Sequence, residues 1–159
     1  MKLIKGIWDY GAEAVVVMLV ALMAVTVFGQ VFFRYVLHDS PSWTEELARY
    51  VFIWISFLGS FVAFKRGAHV IVDAVLVALP RSAQGFLKVV VQLAIAAFLV
   101  VLVQEGWNMM LVTSNTKATM LQVPMSWVYS AAPVSAALML LQQAIWLVDW
   151  ARRHVVMGT

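Results

Sequence analysis

Apolar residues come in long unbroken runs, and ionisable residues collect in the gaps between them. A run from Glu13 to Arg34 covers ~31 Å at helical rise, and one from Glu46 to Lys65 covers ~28 Å. Both match the ~30 Å hydrocarbon layer of a bilayer, which takes about 20 helical residues to cross. The pattern predicts an all-α integral membrane protein with spans at 10–36, 43–64, 86–110 and 126–148. The whole chain forms one membrane domain.

Between Lys65 and Lys88 the pattern changes. Gly67, Pro80 and Gly85 punctuate a segment that is too short to cross. Its valine alternation admits a strand, but an isolated strand in lipid leaves backbone groups unpaired. Residues 68–79 are therefore expected to form a short amphipathic helix in the interface, flanked by Lys65 and Arg66 and carrying His69 and Asp73. The last apolar stretch, Ala118 to Val148, is ~46 Å as a helix and too long for one span. Pro124 disfavours helix at Val123, which predicts a loop over 118–124, a helix start capped by Ser126, and a kink at Pro133.

Composition agrees. Hydrophobic residues make up 64% of the 159 and charged residues 12%, where a soluble domain carries about 25% charged. The net charge of +3 does not signal nucleic acid, because the basic residues flank spans. Lys2, Lys5, Lys65, Arg66, Arg81, Lys88, Arg152 and Arg153 fall on one side, and Arg34, Arg49 and Lys117 on the other. That asymmetry predicts both termini in the cytoplasm. Trp8, Trp43, Trp107, Trp127, Trp146 and Trp150 lie near span ends, where an amphipathic ring sits at headgroup level. The first run has no signal-peptidase-like site before Arg34 and is read as a retained span.

Candidate chemistry is sparse. With no cysteine, thiolate sites and disulfides are excluded. His38, His69 and His154 lie in loops or at span ends, so axial haem ligation within the spans is not supported. His69 and Asp73 are one turn apart but make an incomplete metal site. No Ser-His-Asp set or phosphate-binding glycine loop exists, and the chain is not read as an enzyme; no cofactor is expected in it. Glu13 and Glu105 lie near the two interfaces, where snorkelling or pairing with a neighbouring helix outweighs ion carriage. The alternative they keep open is a small homodimeric proton-coupled exporter.

Span two is the richest segment. Ser42 stands three residues before Glu45 in a capping-box arrangement, and Glu45 to Arg49 has favourable i, i+4 spacing. Arg34, Trp43, Glu45, Glu46 and Arg49 form a candidate charged contact surface at the outer end. Ser56, Gly59, Ser60 and Ala63 form a small-residue face that admits close helix approach, for internal packing or for a larger subunit.

The ordered series W-x-E-E-L-x-R from Trp43, F-L-G from Phe57, K-R-x-x-H-V-x-V-D from Lys65, QEGW from Gln104 and V-P-x-S-W from Val123 resembles the small membrane subunit (DctQ type) of tripartite ATP-independent periplasmic (TRAP) transporters. The resemblance implies a bacterial inner-membrane secondary transporter for organic acids. In it a periplasmic binding protein delivers substrate to a large elevator-type permease subunit that holds substrate and sodium. The present chain would brace the fixed scaffold, with the 34–49 and 120–127 loops toward the binding protein.

Overall fold

The computed structural model describes residues 2–38, 41–66 and 81–156, with side chains for 10–38, 41–66, 84, 87 and 89–148. Among the described residues the helices are, in chain order, α1 Lys2–Tyr35, α2 Ser42–Lys65, α3 Arg81–Val112, α4 Met125–Tyr129 and α5 Ala131–Val156. Among the described residues four segments are long and apolar enough to cross a membrane: Tyr10–Tyr35, Ser42–Lys65, Val89–Val112 and Met125–Val148. The expected interfacial helix over 68–79, with His69 and Asp73, lies outside the described residues.

The boundaries shift where local chemistry overrules the expectation. No side chain caps α2 or α4: the residues before them are Pro41 and Pro124, both extended. Proline at the cap position orients the entering chain, which places Ser42 and Ser126 inside the first turns. The expected capping roles of Ser42 and Ser126 are therefore overturned. Thr44 ties the first turn to the proline in a different way, its hydroxyl donating to the Pro41 carbonyl at 2.7 Å and its amide to the same carbonyl at 3.1 Å. The last span is interrupted at Ser130, three residues before Pro133. Pro133 has no N–H to give the carbonyl four residues earlier, Tyr129. The break at Ser130 thus turns an interior proline into a first-turn proline of α5, which a helix tolerates.

The helices form an open row rather than a closed bundle. Among the described residues α1 packs only on α2, α2 on α1 and α5, and α3 on α5, with short α4 wedged among α2, α3 and α5. The buried residues sit along the middle of this row: Val51, Leu58 and Phe61 from α2, Leu99 from α3, Val128 from α4, and Ala131, Ser135 and Ala136 from α5. Small side chains on α5 let its neighbours come close. The closest approach is at Gly106, where an added Cβ would lie 2.8 Å from Cδ of Pro133 and 3.2 Å from its Cβ. Gln143 on α5 donates to the Gln92 carbonyl at 2.7 Å and to Gln92 Oε1 at 3.0 Å, an interhelical amide pair of the kind that holds helices together in lipid. Most other large apolar side chains, such as Phe28, Phe32, Leu93 and Phe98, are exposed to the surroundings.

Candidate functional site

Helical geometry sorts α2 into two sides. Glu45, Arg49, Phe52, Ser56, Ser60 and Ala63 are all exposed, and their spacing of three or four residues puts them on one stripe running the length of the helix. Gly59 lies beside this stripe with nothing within 4 Å of where its Cβ would be. Ser56 donates to the Phe52 carbonyl at 2.8 Å and Ser60 to the Ser56 carbonyl at 2.7 Å. The hydroxyls are therefore satisfied within their own helix, and the stripe offers a narrow surface with little need for polar partners. Among the described residues the small-residue face is left exposed rather than packed upon by another helix of the chain. Trp43, 46% exposed, and Arg34, exposed in the last turn of α1, flank the same end.

Glu46 parts from the other outer-end candidates. It projects about 100° round α2 from Glu45, off the stripe, and binds the chain's own α3–α4 loop. Its carboxylate accepts backbone N–H bonds from Thr119 at 3.0 Å, Met120 at 2.9 Å and Leu121 at 2.8 Å. The Tyr50 hydroxyl, one turn along α2, donates to the same carboxylate at 2.8 Å and lies 3.4 Å from Met125 Sδ. Three consecutive amides aimed at one carboxylate make a nest of the sort that binds anions. Here the anion is the chain's own side chain.

At the other end of the row, Glu13 meets Arg66 in a two-pronged ion pair, Nη2 to Oε2 at 2.8 Å and Nε to Oε1 at 3.2 Å. The hydrogen bonds it donates to Glu13 hold the Arg66 guanidinium further above its already high range. Glu13 thus pairs with a neighbouring helix, as expected of an interfacial carboxylate, and Glu105 is exposed on α3. Lys65 is half-buried at the same end as Arg66. An exposed pair of this kind contributes little to stability. Glu13→Gln is therefore expected to leave solute uptake by the reconstituted transporter unchanged. Loss of uptake in a vesicle assay would instead restore the exporter reading.

Sequence reasoning missed Tyr50 and Gly106, and although Gln92 reads as a mid-span amide suited to helix packing, its partner Gln143 was missed too. Tyr50 had a signal, its i, i+4 spacing from Glu46; the other two depend on which helices become neighbours. Among the described residues no group of three His, Cys, Asp or Glu side chains is placed to hold a metal.

Among the described residues, four membrane-spanning helices in an open row and an exposed small-residue helix face are the features of a membrane subunit with a surface free for a partner. The comparisons name the family. Residues 12–153 match the family model described as the DctQ component of tripartite ATP-independent periplasmic transporters, and the chain belongs to that family. It is similar to a TRAP transporter small permease protein of Haemophilus influenzae, 30% identical over 79% of this chain and 78% of the relative. It is also similar to the sialic acid TRAP transporter small permease protein SiaQ of Vibrio cholerae, 25% identical over 90% of this chain and 83% of that protein. The isethionate TRAP transporter permease protein DctMQ of Oleidesulfovibrio alaskensis is 31% identical over 69% of this chain but only 19% of its own length. In that protein a small-subunit-like segment is part of a much longer chain. The present chain is thus a multi-pass bacterial inner-membrane protein, the small permease subunit of a TRAP transporter, partnered by a large permease and a periplasmic binding protein.

Proposed function

We propose that this chain is the fixed bracing subunit of a TRAP transporter that imports organic acids, with substrate and sodium held by an elevator-type large subunit. The bare stripe of α2 carries this reading: its Ser56, Gly59, Ser60 and Ala63 give a large permease helix a place to approach closely. The names of relatives support the substrate class, since sialic acid, isethionate and C4-dicarboxylate are all organic anions. The lysine and arginine distribution supports cytoplasmic termini, which puts the α1–α2 and α3–α4 connections on the periplasmic side. Glu45, Arg49, Arg34 and Trp43 then lie at the periplasmic end of the interface.

Reconstitution tests the reading. Proteoliposomes containing this chain and its large subunit, with a sodium gradient and the binding protein outside, are expected to accumulate an organic acid. Liposomes with the chain alone are expected to accumulate none. Uptake by the chain alone would reject the proposal.

A further inference from the structure

The α3–α4 loop, residues 113–124, is more than a connector. Helix–helix connections of about 2 to 8 residues suffice in bundles, and longer loops with internal order usually serve function. The Ala118 amide donates to the Val123 carbonyl at 2.9 Å, the Met125 amide to Thr116 at 2.8 Å and the Gln122 amide to Ala118 at 3.1 Å. Gln122 adopts φ 54°, a left-handed conformation that costs a non-glycine residue energy and reverses the chain. Ala118, 2% exposed, seats the loop on the row. The amides left over at 119, 120 and 121 are the three that Glu46 takes. With Glu46 in place the loop is held at 118–122 by five amide hydrogen bonds.

Two large apolar side chains stand on the outside, among the exposed polar side chains of Lys117, Thr119 and Gln122. Met120 is 55% exposed and Val123 39%. The loop leaves α3 at Val112, five residues and so about 8 Å beyond Trp107, whose exposed ring marks the headgroup level. Fluid lipid gains nothing from a tip fixed amide by amide. A folded protein does, because a preorganised contact has less ordering entropy to lose on association.

We propose that Glu46 is a positioning residue: it touches no partner itself but holds Met120 and Val123 as a preformed contact for the periplasmic binding protein. The inference rests on the reading under Proposed function and assigns Glu46 an indirect role, through the loop, in place of a direct one. The test is solute uptake by the reconstituted transporter as binding-protein concentration is varied. Glu46→Ala should raise the concentration for half-maximal uptake by at least about fivefold, the loss expected when a useful contact is removed, while the rate at saturation is kept. Met120→Ser should shift half-saturation in the same direction with the loop intact. The double variant should fall short of the sum of the two effects, because both act through one contact. Hydrogen exchange at amides 119–121 should quicken in Glu46→Ala but not in Met120→Ser.

Unchanged half-saturation in Met120→Ser overturns the proposal, and that variant decides the matter if Glu46→Ala does not assemble. A lower saturating rate with unchanged half-saturation in Glu46→Ala also overturns it, since that is the mark of a merely structural role. Wild-type uptake that needs no binding protein would overturn this inference and the reading beneath it together, and is recognised without any variant.

Discussion

Replacing Gly106 by leucine should separate α3 from α5 and cost the chain about 3 kcal/mol, the upper part of the usual range for overpacking a close contact. Even the first added carbon would sit 2.8 Å from Cδ of Pro133, a distance that real Cβ atoms do not adopt. The obstacle is a rigid ring rather than the end of a flexible chain, and it is buried at the start of α5. Neither side can yield without moving a backbone. Separation there also lengthens the gap across which Gln143 reaches Gln92, so a second interhelical tie weakens with the first. A lower melting temperature and poorer recovery of monodisperse chain in detergent are the expected readouts. Gly106→Ala should show the same effects in smaller measure. A Gly106→Leu chain as stable as wild type would mean that α3 and α5 do not approach as described.

Gly59→Leu should behave in the opposite way. Nothing lies within 4 Å of the position a Cβ would take, so the isolated chain should fold and melt as wild type does. Its glycine-to-leucine change should even favour α2 slightly, leucine being the better helix former by just under about 1 kcal/mol. The damage should fall on assembly. A leucine projecting beside Ser56, Ser60 and Ala63 would hold a partner helix away from a surface suited to backbone-close packing, and co-purification of the large subunit should drop sharply. Measuring both quantities on both variants separates the two glycines: Gly106 should lose stability first, and Gly59 should lose its partner with stability retained. Full recovery of the large subunit with Gly59→Leu would move the interface to another face of the row.

Much of this was legible before any coordinates. Span number and ends follow from apolar run length and from the charges at Glu13, Arg34, Glu46 and Lys65, because lipid penalises anything else. The small-residue face of α2 was legible as a pattern, but whether it looked inward or outward was not. That depends on which helices become neighbours, and hydropathy carries no such information when every helix is apolar all round. The same ignorance hid Gly106, whose significance is a proline twenty-seven residues later in sequence. Glu46 was legible as a helix-start acid and a docking candidate. Its grip on three amides required knowing that the α3–α4 loop returns to the start of α2. The caps failed for a more local reason: serine before an apolar run is a common start signal, yet at Ser42 and Ser126 a proline one or two residues earlier had already set the chain's direction.

On the bracing role proposed above, the single-file order of the helices bears on how the subunit shares the bilayer with a moving large subunit. Neighbouring axes stand about 8 to 10 Å apart, so three successive contacts carry the outermost helices up to about 30 Å from one another. Any vertical slippage of such a broad plate would strand hydrophobic girth in water along its entire perimeter, a penalty of fractions of a kcal/mol for each ångström of mismatch at each helix. Breadth of this kind supplies inertia: on that proposal, whatever is bolted to the plate keeps its depth while the large subunit travels.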